Sequence, residues 1–366
     1  MIRICTRAPA AEEQARAWLT RYRGKKPRFA CILSFTETSL QPRISAAGAS
    51  PKARRYTALA DGEYLHSGKS KRYSLPLLSA GISPAILTRA ILTHCNIPLQ
   101  LLSTGLPDRL TVPHIPLAAV LAKDISTGFA MTIQQAEQLF SSGYELGKQL
   151  AADCIDRSYW VLGESVVGGT TTAQAILTAL GYKVTGKVSS SHLQSNHKQK
   201  QVLIQAGLKR WQERSKGAEH YPIAAAAAVG DPMQLVAAGI MLSISQSAGL
   251  LLAGGSQMLA VYALAKAIAQ FKNISWDPRQ VVVGTTRWVI EDTSADTVAI
   301  AHIVGAPYLA SQLSFAQSPY FQLRAYERGF VKEGTGAGGC AIAAHLCQHC
   351  TNAQLRHAVE AHLRQL

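Results

Sequence analysis

Residues 159–180 read YWVLGESVVGGTTTAQAILTAL, and their order decides the fold class. YWVLGE is a short apolar, β-prone run, the glycines and threonines of GESVVGGTTT form a polar turn, and Thr171 to Leu180 carries a helical pattern. A strand passing through a glycine-rich turn into a helix is the unit from which parallel sheets are wound. Working outward, the runs FACILSFT, LPLLSA, PLQLLST, IAAAAAVG, AGLLLA, QVVVGTT and IAHIVG read as further strands. Helices are predicted between them at Pro84 to His94, Ile133 to Asp153, Lys198 to Gln212, Met233 to Ser245 and Gln257 to Phe271. Continuously apolar strands alternating with helices predict an α/β fold: a mostly parallel sheet with helices on both faces. The chain ends differ, because residues 9–22 and 337–364 read as helices with no strands between them. The expected division is an α/β core over 25–310 and a small helical domain from 1–24 with 311–366.

Composition fits such a core. Hydrophobic residues make up 48% of the 366 residues and charged residues 16%, too apolar for a disordered chain. The uncharged stretch Pro232 to Ala265 is broken by Ser243, Ser245, Gln246 and Ser247 and again by Gly254-Gly255-Ser256-Gln257. It therefore reads as buried helix, short strand and buried helix, with no membrane span. Lys and Arg number 37 against 22 Asp and Glu, a formal net charge of +15 that favours acidic partners. Residues 1–72 hold 15 basic and 5 acidic side chains, clustered at Arg21 to Arg28, Lys52 to Arg55 and Lys69 to Arg72. These clusters lack interleaved aromatics and any nucleic-acid module, so a solvated basic face is expected and no nucleic-acid partner. Seven scattered cysteines and a polar, charged N-terminus in place of an apolar leader predict a reducing, cytoplasmic location. The offsets in HLCQHC (345–350) spread around a helix, so no metal is expected there.

Open parallel sheets bind ligands beyond the carboxyl ends of their strands, which directs attention to four polar stretches. They are Ser45 to Ala49 with the later Asp61 and Glu63, Gly163 to Thr172, Gly230 to Gln234, and Lys332 to Gly339. In the second, Gly168 and Gly169 let backbone N–H groups approach an anion, and Thr170 opens a helix whose positive end faces it. This is neither a Walker loop nor a dinucleotide fingerprint, because the required spacings are absent. Gly230 and Asp231 open another helix, and Gly334, Thr335 and Gly336 surround a single acid, Glu333, that can orient a ligand or take a proton. The neighbouring Lys332 and the helix dipole lower its pKa while burial raises it, and the sequence leaves that balance open.

These loops also carry a family resemblance. GESVVGGTTTAQAIL resembles the GEMGIGNTT segment, and KEGTGA the GEGTGA segment, of nicotinate-nucleotide:dimethylbenzimidazole phosphoribosyltransferases, which activate the lower-ligand base of cobalamin. The chain from about Phe29 to Cys347, including ISAAGASP, GDPMQLVAAGI, LLAGGSQM, TTRWVIEDTSAD and YERGFVKEGTGAGG, resembles a prokaryotic branch related to those enzymes. The resemblance implies a homodimeric α/β enzyme whose core over 25–310 is Rossmann-like and nucleotide-binding, and which moves the ribose phosphate of nicotinate mononucleotide onto a benzimidazole or purine base and releases nicotinate, with no cofactor. It implies that Glu333 deprotonates the incoming base, that Glu164 with Gly168, Gly169 and Thr170 serves the ribose-phosphate side, and that Lys200 approaches the phosphate. Three positions depart from the pattern: Lys332 and Val166 replace glycines, and GDPMQ replaces GGFEI. A non-catalytic nucleotide sensor or regulatory protein is the alternative the residues leave open.

Overall fold

The computed structural model describes residues 1–48, 50–70, 72–76, 80–154, 158–215 and 221–365. Ala49, Lys71 and residues 77–79 of LPLLSA lie outside the described residues. The chain runs β1 (Ile2–Ile4), α1 (Pro9–Tyr22), β2 (Pro27–Leu33), α2 (Pro51–Arg54), α3 (Thr57–Ser67), α4 (Pro84–His94), β3 (Leu99–Ser103) and β4 (Ile115–Pro116). It continues with α5 (Ile133–Ala152), β5 (Tyr159–Ser165), α6 (Gly169–Ala179), α7 (His197–Ser215), α8 (Pro222–Val229), α9 (Pro232–Ile244), β6 (Gly249–Ala253) and α10 (Ser256–Lys272). It closes with β7 (Val281–Thr286), α11 (Arg287–Ile290), α12 (Thr297–Val304), β8 (Tyr308–Ser311), α13 (Phe321–Glu327), α14 (Ala337–Gln348) and α15 (Asn352–Leu363).

The described strands form one eight-stranded sheet in the order β1-β8-β7-β6-β5-β2-β3-β4. Every pairing is parallel except the edge pair of β1 with β8. From β2 the chain first winds outward to β3 and β4, then returns to β5 on the other side of β2 and winds away through β8. This is the doubly wound arrangement, with its switch point between β2 and β5.

Side chains explain the layering. Trp160 and Leu162 of β5, Leu250 and Leu252 of β6, and Val281 and Val283 of β7 enter one core with α5, α6, α8, α9 and α10. Their neighbours Tyr159, Val161, Leu251 and Val282 enter the other, with α1, α3, α4, α14 and α15. Burial on both faces is why these strands are uniformly apolar.

Two expected strands are helices. IAAAAAVG lies in α8, where alanine's helix propensity and Pro222 at the first turn prevail. IAHIVG lies in α12, started by the Asp296 side chain accepting from the Ala299 amide at 2.8 Å and stopped by Gly305 at φ 74°. Strand β8 follows just beyond it, and β1, only three residues long, has no pattern of its own. In LPLLSA, the described residues 75, 76 and 80 are not in a strand.

The glycines opening α14 set how close this helix comes to the sheet. A Cβ on Gly338 would lie 2.2 Å from the Thr285 carbonyl carbon, and one on Gly339 would lie 2.3 Å from the Ala253 Cβ. The first turn of α14 therefore rests directly on the ends of β6 and β7. Gly339→Val should cost about 3 kcal/mol of stability by overpacking a backbone contact that cannot relax. Urea unfolding measures it, and an unchanged midpoint would show that the contact is not tight.

Candidate functional site

At the carboxyl ends of β2, β5, β6 and β7, beside the switch point, lies a cavity holding about 1050 Å³ of empty space with its mouth included. Its walls come from the end of β5, the turn into α6, the start of α10, Ser189 to Ser191, Phe330 to Thr335, and Asp61 of α3.

The turn into α6 is built by its glycines. Gly168 adopts φ 83°, and a Cβ there would meet the Ser39 amide at 3.2 Å. A Cβ on Gly169 would fall 2.2 Å from Gln257 Nε2. No side chain caps α6, so its positive end is left to the cavity. Of the three threonines only Thr170 lines the cavity; Thr172 turns inward and donates to Asp231. Gln257 also lines the cavity, and its buried Nε2 has no hydrogen-bond partner among the described residues.

Three carboxylates share the cavity wall. Glu333 is held by four donors: Gly334 and Gly338 amides reach Oε1 at 3.1 Å each, while Thr285 Oγ1 and the Thr286 amide reach Oε2 at 2.9 Å each. Burial raises its pKa, and these bonds oppose the rise. Thr335 takes φ 48°, unusual for a β-branched residue, and Thr88 Oγ1 donates to its carbonyl at 3.1 Å. Glu164, buried at the end of β5, is pushed up to about 8 by burial and then by the negative charges of Asp231 and Glu333. Asp61 is buried, accepts from Ser165 Oγ at 2.8 Å and Ser83 Oγ at 3.4 Å, and is pushed up to about 6 by burial.

Another part of the wall is backed by cations. Lys332 lines the cavity, and its Nζ donates to Asp292 Oδ2 at 2.8 Å and to the His192 carbonyl at 2.9 Å. Lys200 Nζ donates to the Ser189 carbonyl at 2.9 Å, so both lysines grip the serine loop from behind. Ser189 Oγ in turn donates to Asp292 Oδ2 at 2.9 Å, and Ser45 and Ser191 hydroxyls meet at 2.9 Å. Burial and then Lys332 lower the Lys200 pKa to about 7, with Asp292 opposing. Asp292 ends below the usual carboxylate range: burial pushes it up, but the Lys332 and serine bonds prevail.

The structure therefore brings Glu164, Gly168, Gly169, Thr170, Glu333, Gly334 and Thr335 to one cavity. Lys200 stands behind the wall, and Gly336 packs under it, where a Cβ would be 3.1 Å from the Gly163 Cα. Gly230 and Asp231 lie between two helices, and Asp231 caps α9 by accepting from the Gln234 amide at 3.2 Å. Sequence reasoning missed Asp292, Ser189 to Ser191 and Gln257. The triple serine ahead of a lysine-bearing helix was the available signal.

A doubly wound sheet with a cavity at its switch point is the arrangement in which α/β proteins hold ligands. Comparison with known proteins sharpens this. A family model described as phosphoribosyltransferase matches residues 91–273. A UPF0284 protein of Acaryochloris marina is 49% identical over 363 residues, covering 98% of this chain and 96% of its own. One from Nostoc sp. is 48% identical over 386 residues, covering 100% and 99%. The chain belongs to the nicotinate-nucleotide-dimethylbenzimidazole phosphoribosyltransferase family and, within it, is similar to the UPF0284 proteins. A solved nicotinate-nucleotide-dimethylbenzimidazole phosphoribosyltransferase from Thermus thermophilus shares the fold, with a TM-score of 0.61 at 17% identity over 98% of this chain and 92% of its own. No helix among the described residues is long and apolar enough to cross a membrane.

Glu164 makes stability depend on pH in a defined direction. An acid whose folded pKa is raised from 4.5 to about 8 contributes fully below the unfolded value and loses that contribution as pH climbs through this window. Glu164→Gln removes the proton equilibrium. Its stability advantage over the parent should grow by at least about 1 kcal/mol between about pH 5 and pH 8 in urea titrations. A pH-independent difference would mean that Glu164 does not titrate in that range.

Proposed function

We propose that the chain is a phosphoribosyltransferase that moves the ribose phosphate of nicotinate mononucleotide onto a benzimidazole- or purine-type base, as a homodimer serving cobalamin-type cofactor synthesis. The observation that carries this reading is the polarity of one cavity, whose two ends suit the two halves of such a reaction. The uncapped α6 end and the lysine-backed Ser189 to Ser191 loop suit a phosphate dianion, whereas Asp61 and Glu333 suit a ring with N–H groups.

In the proposed reaction the lone pair of a base nitrogen attacks the anomeric carbon of the ribose. The glycosidic bond breaks, and its electron pair returns to the nicotinate ring nitrogen, which was cationic and leaves neutral at that atom. The proton on the incoming base passes to Glu333. Gly334 and Thr335 place that carboxylate, and Gly168, Gly169 and Thr170 hold the sugar phosphate with Glu164 beside it. Gly230, Asp231 and Gly336 support these loops from behind, and Lys200 acts through the Ser189 carbonyl. Positioning and a general base are the main demands, because the leaving group is already activated.

One feature favours the second reading, nucleotide binding without transfer: all four donors on Glu333 must be partly released before it can accept a proton. Incubating the protein with nicotinate mononucleotide and a panel of azoles and purines, followed by mass analysis, separates the two. Transfer yields a ribosylated base phosphate and base-dependent nicotinate. Glu333→Gln should then lower turnover at least about 100-fold with little change in mononucleotide binding. Tight mononucleotide binding with no nicotinate release from any base selects the sensor.

A further inference from the structure

Asp61 is an unusual acid for this cavity. It is 5% exposed, lines the cavity, and no cation pairs with it among the described residues. A buried, ionisable carboxylate without a cation is costly unless its oxygens find donors. Two serines supply part of that need, one from the end of β5 at 2.8 Å and one from the start of α4 at a weak 3.4 Å. A carboxylate has about four acceptor positions, so Asp61 keeps capacity that the described residues leave unfilled. Glu333 differs, because its four positions are taken by Gly334, Gly338, Thr285 and Thr286.

The surroundings give the shape of what fills it. Pro76, Pro84 and Val331 line the same cavity, and Gly334 approaches Pro84 so closely that a Cβ there would lie 3.0 Å from the proline Cγ. Apolar walls beside an acid with spare acceptor positions suit an aromatic ring carrying a donor on its edge. The phosphate-suited wall involves other residues: Ser189, Lys332 and Asp292 form their own network and share no hydrogen bond with Asp61.

We propose that Asp61 is a specificity-determining residue that accepts an N–H from an amino substituent on the incoming ring, so that the accepted base is an amino-bearing aromatic nitrogen heterocycle. This rests on the transferase reading for its context. The ring nitrogen that loses its proton faces Glu333, and the second donor faces Asp61. Ser165 and Ser83 are positioning residues that fix the carboxylate from two different elements.

The test uses matched probes: benzimidazole, its 2- and 4-amino derivatives, and the corresponding dimethylamino derivatives, which keep bulk but lose the N–H. Calorimetric binding to the full chain, with and without nicotinate mononucleotide, should favour at least one amino isomer by about 10- to 100-fold over benzimidazole, the range a hydrogen bond to a charged group supports. The dimethylamino probes should lose that advantage. Asp61→Asn should bring the amino and plain rings to within about three-fold of each other while binding of the mononucleotide alone stays unchanged. Equal binding of plain and amino rings to the parent, no ring binding at all, or an Asp61→Asn variant with the parental preference would each overturn the proposal. Should that variant fail to fold, the parent's response to the dimethylamino probes still decides. Nicotinate release measured with the same probes keeps two failures apart. Preferential binding without release sinks the transferase reading and leaves Asp61 standing, whereas release at equal efficiency with plain and amino rings does the reverse.

Discussion

The Glu333 carboxylate is the interaction on which the rest of the site depends. It joins the end of β7, through Thr285 and Thr286, to the first turn of α14, through Gly338. Carboxylates near helix N-termini are stabilised by the dipole and by amides that have no partner within the helix. Here the acid occupies that position from the segment before the helix, and it can do so only because glycines let the helix approach the sheet. Removing it would strand buried donors, each costing about 1–3 kcal/mol. Structure and chemistry thus compete for the same two oxygens.

The electrostatics of the cavity follow from where its charges find partners. Lys332 and Asp292 form a buried ion pair at 2.8 Å, and that pair is further satisfied by Ser189, Ser294 and the His192 carbonyl. Such a pair offsets its own desolvation only through these added bonds. Asp61 and Glu164 have no equivalent cation among the described residues, and both are pushed toward the protonated form by burial. One cavity therefore holds a satisfied ion pair, a fully bonded Glu333 and two acids that lack a cation among the described residues. Basic side chains outside the cavity, such as the exposed Lys26 and Lys52, contribute long-range field rather than contacts.

Much of the sheet was legible because, in a chain of this composition, a short continuous apolar run bounded by turn residues fits a strand buried on both faces. YWVLGE, AGLLLA and QVVVGTT became β5, β6 and β7, side by side in the sheet. The failures were alanine-rich or helix-capped apolar runs, where period alone cannot separate a buried helix from a buried strand. At the site, the loops after β5 and before α14 were legible from glycine, whose backbone freedom leaves a trace in sequence. The glycines did not all serve the use expected of them: Gly338 and Gly339 bring a helix onto the sheet, while Gly168 and Gly169 shape the cavity turn. Asp292 and the serine loop were not legible, because their roles arise from contacts with Lys332 and Lys200 across 40 and 11 residues of chain.

The adjacent residues Lys332 and Glu333 connect the two ends of the cavity. The Lys332 side chain reaches Asp292 and the carbonyl of His192, and so holds the serine loop. The next side chain reaches Thr285, Thr286 and Gly338, and so holds α14 to β7. Thr286 binds both members, since its amide donates to Glu333 and its hydroxyl to the Lys332 carbonyl. The serine loop and the carboxylate are therefore joined through two adjacent residues. A glycine at 332 would have no side chain to make that connection. The lysine at this position is what ties the serine loop to the segment that carries the carboxylate.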